Sequence, residues 1–198
     1  MINIDTTRHN IGTTRHNVDI KQHNVDIKKQ DHGKAYDRIR CALPSDAEAV
    51  WMIETACFPP QEAAGREAIA ERIAAFPESF LIAEKEGAII GFINGCVTGR
   101  RTIEDFMFEQ TDCHEPEGSY QAIFGLDVHP EHQRRGVAAA LMEALIQTAR
   151  EKGRKGLILT CKERLIPFYE QFGYRNMGVS RSVHGGAVWY DMILEFAE

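Results

Sequence analysis

One stretch limits the folds open to this chain more than any other: Val128 to Leu145, reading VHPEHQRRGVAAALMEAL. A short apolar run passes through polar and charged residues to Gly136 and then into an alanine-rich helical pattern. Such a strand–loop–helix unit exposes the N–H groups of the first helical turn, and the helix dipole there favours an anion. Gln133, Arg134, Arg135, Gly136, Val137 and Ala138 fit that geometry: polar donors, a glycine that lets a ligand approach, then small residues that leave the amides uncovered. The two arginines add positive charge suited to phosphate, although one of them has an equal reading as a solvated surface side chain. The loop is neither G-x-x-x-x-G-K-[ST] nor G-x-G-x-x-G. The expected ligand is therefore a pyrophosphate held on another scaffold.

The surrounding pattern is that of one α/β domain. DRIRCAL alternates as a first strand, and Ser45 with Glu48 three residues on reads as a capping box opening a helix to Cys57. A second helix runs from Ala64 to Ala75, and SFLIAEKEGAIIGFINGCV reads as a hairpin turning at Glu86–Gly87. Residues 99–118 read as a loop, YQAIFGLDVHP as a fourth strand, Val137–Lys152 as a helix and GLILTC as a fifth strand. RLIPFYEQFGY gives a short helix ending at Gly173, with Leu165, Phe168 and Phe172 as its buried stripe. A last hairpin turns at His184–Gly185–Gly186. The fold class expected is α/β (α+β): a mixed, mostly antiparallel sheet of about seven strands with about four helices packed on both faces.

Residues 1–34 stand apart. Ile2–Arg8, His9–Arg15, His16–Gln22 and His23–Lys29 are heptads, but apolar pairs such as Val18 and Ile20 lack the three-and-four spacing of a coiled coil. The spaced histidines have no Cys or carboxylate partners in ligand spacing, so no metal is expected. A repetitive, disordered tail followed by a domain over 35–198 is the boundary expected. The formal net charge of −6 argues against general nucleic-acid binding. The five cysteines are scattered and odd in number, as in reduced thiols. With no bilayer-length apolar run and no signal core, the expectation is a cytoplasmic protein without membrane contact.

QRRGVA resembles the Q/R-x-x-G-x-G/A signature of the GNAT acetyltransferase superfamily, and IPFYEQFGY about thirty residues later falls where that family has its second signature. LTCKERLIPFYEQFGY looks most like the arylalkylamine (serotonin-type) N-acetyltransferases, and IETACFPPQEAAG is similar to the acceptor-side helix and loop of their microbial relatives. The resemblance covers roughly residues 38–195. It implies acetyl-CoA as co-substrate, its pyrophosphate held by main-chain amides of Arg134 through Ala139. It implies that Leu126, Asp127 and Val128 border the pantetheine arm, by backbone pairing at Leu126 and Val128. Asp127, pointing to the opposite face, has an equal structural reading. Tyr169 matches the tyrosine that protonates the departing thiolate.

The chain departs from the vertebrate pattern at Ala122 and Phe124, where those enzymes carry two histidines. His129 and His132 lie in the loop on the cofactor side and read as solvated, and Cys161 reads as packing rather than as a nucleophile. A base must then be an acid elsewhere or a chain of waters, and Glu54, before the acceptor loop, is the candidate. The implied activity is acetyl-CoA-dependent N-acetyl transfer to a small primary amine, arylalkylamine-like, by direct attack in a ternary complex. The rivals are another acceptor (a polyamine, an aminoglycoside-type sugar, a protein N-terminus) and a silent acyl-CoA-binding module. The retained Tyr169 speaks against the last. The sequence carries no reading of oligomeric state.

Overall fold

The computed structural model describes residues 35–197, and the repetitive segment expected to be a disordered tail lies outside them. The order is β1 (Arg38–Cys41), α1 (Ala47–Cys57), α2 (Arg66–Ala75), β2 (Phe80–Lys85), β3 (Ala88–Asn94), β4 (Val97–Thr98), α3 (Phe106–Glu109), β5 (Tyr120–Ile123) and β6 (Gly125–Val128). Then follow α4 (Val137–Glu151), β7 (Gly156–Cys161), α5 (Ile166–Glu170), β8 (Arg175–Val179) and β9 (Tyr190–Glu195). The strands form a four-stranded half in the order β1-β2-β3-β6 and a five-stranded half in the order β4-β5-β7-β9-β8. Only β5 and β7 run parallel.

The hairpin read at Glu86–Gly87 is present. Both residues have positive φ, 52° and 80°, the conformation that matches a two-residue turn to the twist of its strands. Strand β2 is buried on both faces. Leu81 and Ala83 pack with Ile93, Leu141 and Leu145 under α4, while Phe80 and Ile82 pack with Val50, Ile53, Ile69 and Ile73 under α1 and α2. Each such aliphatic or aromatic side chain contributes roughly 1.5–3 kcal/mol of burial.

The expected fourth strand is two. Ala122 N–H donates to Cys96 O at 2.8 Å, and Gly125 stands opposite Asn94. Three residues on one strand therefore cover two on the other. Phe124 is the extra one, its N–H donating to Asn94 O at 2.7 Å. A one-residue bulge bends and twists the strand that carries it. Strand β5 keeps β7 as a neighbour through Ile123 and Leu159, whereas β6 pairs with β3 alone, so the halves splay beyond Phe124. The crossing is tight: a Cβ on Gly95 would lie 2.0 Å from Ala122 O.

Local expectations shift in four places. Ser45 does not cap α1. A 3-10 turn, Pro44–Asp46, comes first, and Asp46 Oδ2 accepts from Leu43 N–H at 2.7 Å, because Arg40 holds that carboxylate in place at 2.6 Å. Helix α2 starts at Arg66 rather than Ala64, since Ala64 N–H is taken by Glu54 Oε1 at 2.7 Å. The 99–118 loop contains the one-turn α3, anchored by buried Met107. On α5, Leu165 is 37% exposed and Tyr169 only 7%. Leu165 belongs to a preceding 3-10 turn, which rotates the buried face onto the tyrosine.

Arg40 ties β1 to the entry of α1 and to β2, pairing with Asp46 and with Glu84, both at 2.6 Å. Burial alone would raise these two carboxyls, but hydrogen bonds from Arg40, and at Glu84 from Arg38 as well, hold both below their ordinary values. Depressed values stabilise the fold above the ordinary carboxylate range, about pH 4, and that stabilisation is lost as pH falls through the folded-state values. Arg40→Met should lower stability by about 3 kcal/mol at pH 7 and flatten the acid limb of stability against pH. Urea unfolding between pH 3 and 7 measures both, and a variant with an unchanged midpoint would show that the network contributes nothing.

Candidate active site

The splay opens onto a cavity of about 300 Å³. Its floor is the break itself (Ile123, Phe124, Gly125, Leu126) and the end of β7 (Leu159, Thr160, Cys161). The α1–α2 connection closes one side and Trp189 and His184 of the β8–β9 turn the other, while Glu54, Arg72 and Tyr169 also reach the lining.

The loop that follows β6 leads into α4. Gly136 adopts φ 86° and ψ 0° as the N-cap of α4, with no side-chain cap, and a Cβ there would meet nothing within 4 Å. Only glycine takes such a φ without strain. The first helical bond of α4 runs from Ala140 N–H to Gly136 O at 3.0 Å. Among the described residues, no group accepts from the N–H of Val137, Ala138 or Ala139. Arg134, also at positive φ (58°), and Arg135 are exposed. Gln133 is exposed as well, yet its Nε2 donates to Val128 O at 3.0 Å, so its side chain fixes the loop to the strand end.

The main chain of β6 alternates. His129 N–H donates to Ile90 O at 2.9 Å, so in this register Gly125 and Asp127 bond to β3. Leu126 turns its N–H and C=O, and Val128 its N–H, to the open edge, while Val128 O accepts from Gln133 Nε2 at 3.0 Å and Cys57 Sγ at 3.3 Å. The backbone of Asp127 is spent on the sheet, and its side chain, 4% exposed, lies beside Glu54.

Glu54 is 5% exposed. The two carboxyl groups lie within hydrogen-bonding range of each other, and Asp127 Oδ2 is enclosed with no other partner. Two ionised carboxylates in that contact repel, which favours a state with one proton between them. Burial raises the Glu54 carboxyl above its ordinary range against the pull of Ala64 N–H and Arg72. Burial, then the Glu54 charge, holds Asp127 well above its own. Tyr169 faces them across the break. Burial, reinforced by Cys161 and Asp127, pushes its phenol up, so it stays protonated at neutral pH. Among the described residues nothing hydrogen-bonds to its hydroxyl, and Tyr169 lines the cavity.

Ala122 and Phe124, the positions without histidine, differ in place: Ala122 is buried while Phe124 faces the cavity. His129 and His132 stay in the loop between β6 and α4, with ring centroids 6.1 Å apart. Cys161 is buried and its thiol raised to about 11 by burial, which suits packing rather than nucleophilic attack. Sequence reasoning missed Arg72, although an arginine between Ile69 and Ile73 on the buried face of α2 marks itself as unusual. It also missed the pair of Lys162 and Glu62 at 2.7 Å and the aromatic wall of Phe108, Phe124 and His184, whose neighbouring centroids lie 5.3 and 4.8 Å apart.

The sequence model of the Acetyltransferase (GNAT) family matches residues 47–174, and the chain belongs to that family; it is an acyltransferase. Serotonin N-acetyltransferase of Mesocricetus auratus is 26% identical over 151 residues, covering 74% of this chain and 72% of that protein. Among solved structures, the GNAT-like decarboxylase GphF in complex with isobutyryl-CoA superposes with a TM-score of 0.69 at 21% identity, over 80% of this chain and 99% of that one. The putative acetyltransferase yncA from Salmonella typhimurium, solved with its cofactor acetyl-CoA, gives 0.59 at 19% identity over 81% and 94%. These two likenesses show a shared fold.

Raised carboxyl values mean that the folded state holds protons more tightly than the unfolded chain. That contribution favours folding below the ordinary carboxylate range and turns against it as pH rises through the raised values. Asp127→Asn replaces the shared proton by an amide donor to Glu54. It should gain about 1 kcal/mol at pH 8, with the gain shrinking toward pH 5. Urea unfolding at the two pH values is the check; a loss of stability at pH 8 would mean that the pair is not repulsive.

Proposed function

We propose that the chain transfers an acetyl group from acetyl-CoA to a small primary amine of arylalkylamine type, by direct attack in a ternary complex. One observation carries the reading: Glu54 and Tyr169 line the same cavity on either side of the place where β6 leaves β7. The uncapped amides of Val137, Ala138 and Ala139 suit a pyrophosphate, and the open edge at Leu126 and Val128 suits the amide groups of a pantetheine arm. That combination fits acetyl-CoA as acyl donor, with the thioester at the break. The Phe108–Phe124–His184 wall supports a flat apolar group on the acceptor.

The chemistry then divides among the residues. An alkylammonium has a pKa near that of lysine, about 10.4, so little is nucleophilic at neutral pH. The Glu54–Asp127 pair takes one proton from it. The amine nitrogen attacks the thioester carbonyl carbon while an N–H of the open β6 edge stabilises the oxyanion. The C–S bond breaks, Tyr169 gives its hydroxyl proton to the leaving sulfur, and the second ammonium proton leaves the nitrogen and makes good that loss. The products are the N-acetyl amide, the CoA thiol and one released proton.

Tyr169→Phe keeps the ring that packs edge-on against Tyr174 and removes only the donor. We expect kcat to fall by roughly 10²–10⁴-fold with acetyl-CoA affinity unchanged. The deficit should shrink as pH approaches about 8.5, where a thiolate leaves unassisted. Turnover followed by thiol release across pH 6.5–9 tests this. Wild-type kcat, or a loss explained wholly by weaker acetyl-CoA binding, would return Tyr169 to a packing role.

A further inference from the structure

Arg72 is not used by that chemistry. It sits on the buried face of α2 beside Ile69 and Ile73, 7% exposed, and lines the cavity. Its guanidinium lies 5.2 Å above the centroid of Phe124, the bulge residue, and Nη2 donates to Phe108 O at 2.7 Å. A guanidinium has five N–H groups in a rigid fork and does not deprotonate in proteins. No carboxylate among the described residues comes within 4.0 Å of it. A charge held out of water without an anion is costly, and buried cations are nearly always paired. None of its nitrogens is among the enclosed polar atoms that lack a partner, so its unused N–H groups open onto the cavity.

The charges of the pocket point the same way. The Glu54–Asp127 pair, holding one proton between its two carboxyls, carries one negative charge and Arg72 one positive; Lys162 and Glu62 cancel at 2.7 Å, and Arg164 and Glu109 add one charge of each sign to the lining. A plain alkylammonium would bring an uncompensated positive charge into this neutral pocket, whereas a zwitterion brings none. We propose that the acceptor is an amino acid with a flat apolar side chain. Its ammonium faces the Glu54–Asp127 pair, its carboxylate takes the open fork of Arg72, and its ring lies on the Phe108–Phe124–His184 wall. This rests on the reading of the site as an amine acetyltransferase and narrows it.

The full chain is assayed for thiol release from acetyl-CoA with tryptophan and phenylalanine against tryptamine and phenethylamine. The kcat/KM of each amino acid should exceed that of its decarboxylated partner by about 10- to 100-fold, the worth of a charge-assisted hydrogen-bonded pair. Arg72→Met should collapse that ratio, and Arg72→Lys should restore part of it; a merely structural arginine would lower both substrates alike and leave the ratio standing. Calorimetric titration with 3-phenylpropanoate, a ring and carboxylate without an amine, reads the subsite apart from turnover. Binding by the wild-type chain supports the proposal, and absence of binding at millimolar concentration overturns it even where the variants fail to fold. Equal or better turnover of the decarboxylated amines overturns it as well. Silence toward all four amines with acetyl-CoA bound would overturn the amine reading itself, and the proposal with it.

Discussion

A single extra residue opens this sheet. Because Phe124 is inserted before Gly125, which stands opposite Asn94, β5 and β6 cannot both stay in register with β3–β4 and alongside β7, and the strands part where the chain bends. An open strand edge inside a domain is expensive, since each main-chain N–H and C=O deprived of water and of a partner costs free energy comparable to a lost hydrogen bond. The groups left open are the N–H and C=O of Leu126 and the N–H of Val128, and in the function proposed above a bound acyl-CoA makes those bonds. The same bend aims the uncapped start of α4 at one side of the opening and the cavity at the other. In the proposed reaction, donor and acceptor would thus have separate approaches to one point.

Around that point the buried charges are poorly satisfied, as the proposed proton transfer needs. Glu54 and Asp127 come from different elements, α1 and β6, and meet where burial raises both carboxyls. A pair that prefers to hold a proton is a suitable acceptor for one from an ammonium. Arg72 lies near enough to act on Glu54 by its field, yet beyond ion-pair distance. The strongly satisfied ion network is elsewhere, at Arg40 with Asp46 and Glu84, where it joins β1 to the first helix. The domain therefore keeps its well-paired ion network and its raised carboxyls in different parts of the fold.

Much of this was legible in the sequence because the signals were local. The Glu86–Gly87 turn, the glycine at the mouth of α4 and the apolar runs of β2, β3 and β7 each depend on a few neighbouring residues, and each stands where the sequence places it. The bulge was not legible, for YQAIFGLDV reads as one continuous strand and only the partner β3–β4 shows that a residue is extra. The Glu54–Asp127 contact joins residues far apart in the chain, which no spacing rule reaches. Tyr169 was placed at the site by resemblance, but its burial was not foreseen, because the phase of so short a helix is set by the 3-10 turn before it. Ser45 lost the cap to Asp46 through a distant arginine. Arg72 is different: its misfit among isoleucines was visible, and only its meaning needed the cavity.

The central claim is that the edge of β6 and the first turn of α4 are left unpaired for an acyl-CoA. Amide hydrogen exchange, followed residue by residue with and without acetyl-CoA, tests it most directly. The account predicts that Leu126, Val128, Val137, Ala138 and Ala139 exchange quickly in the unliganded chain and slow markedly on binding, while Asp127, bonded to β3, barely changes. Tight binding of acetyl-CoA with those amides unprotected, or with protection confined to another face of the sheet, would contradict it.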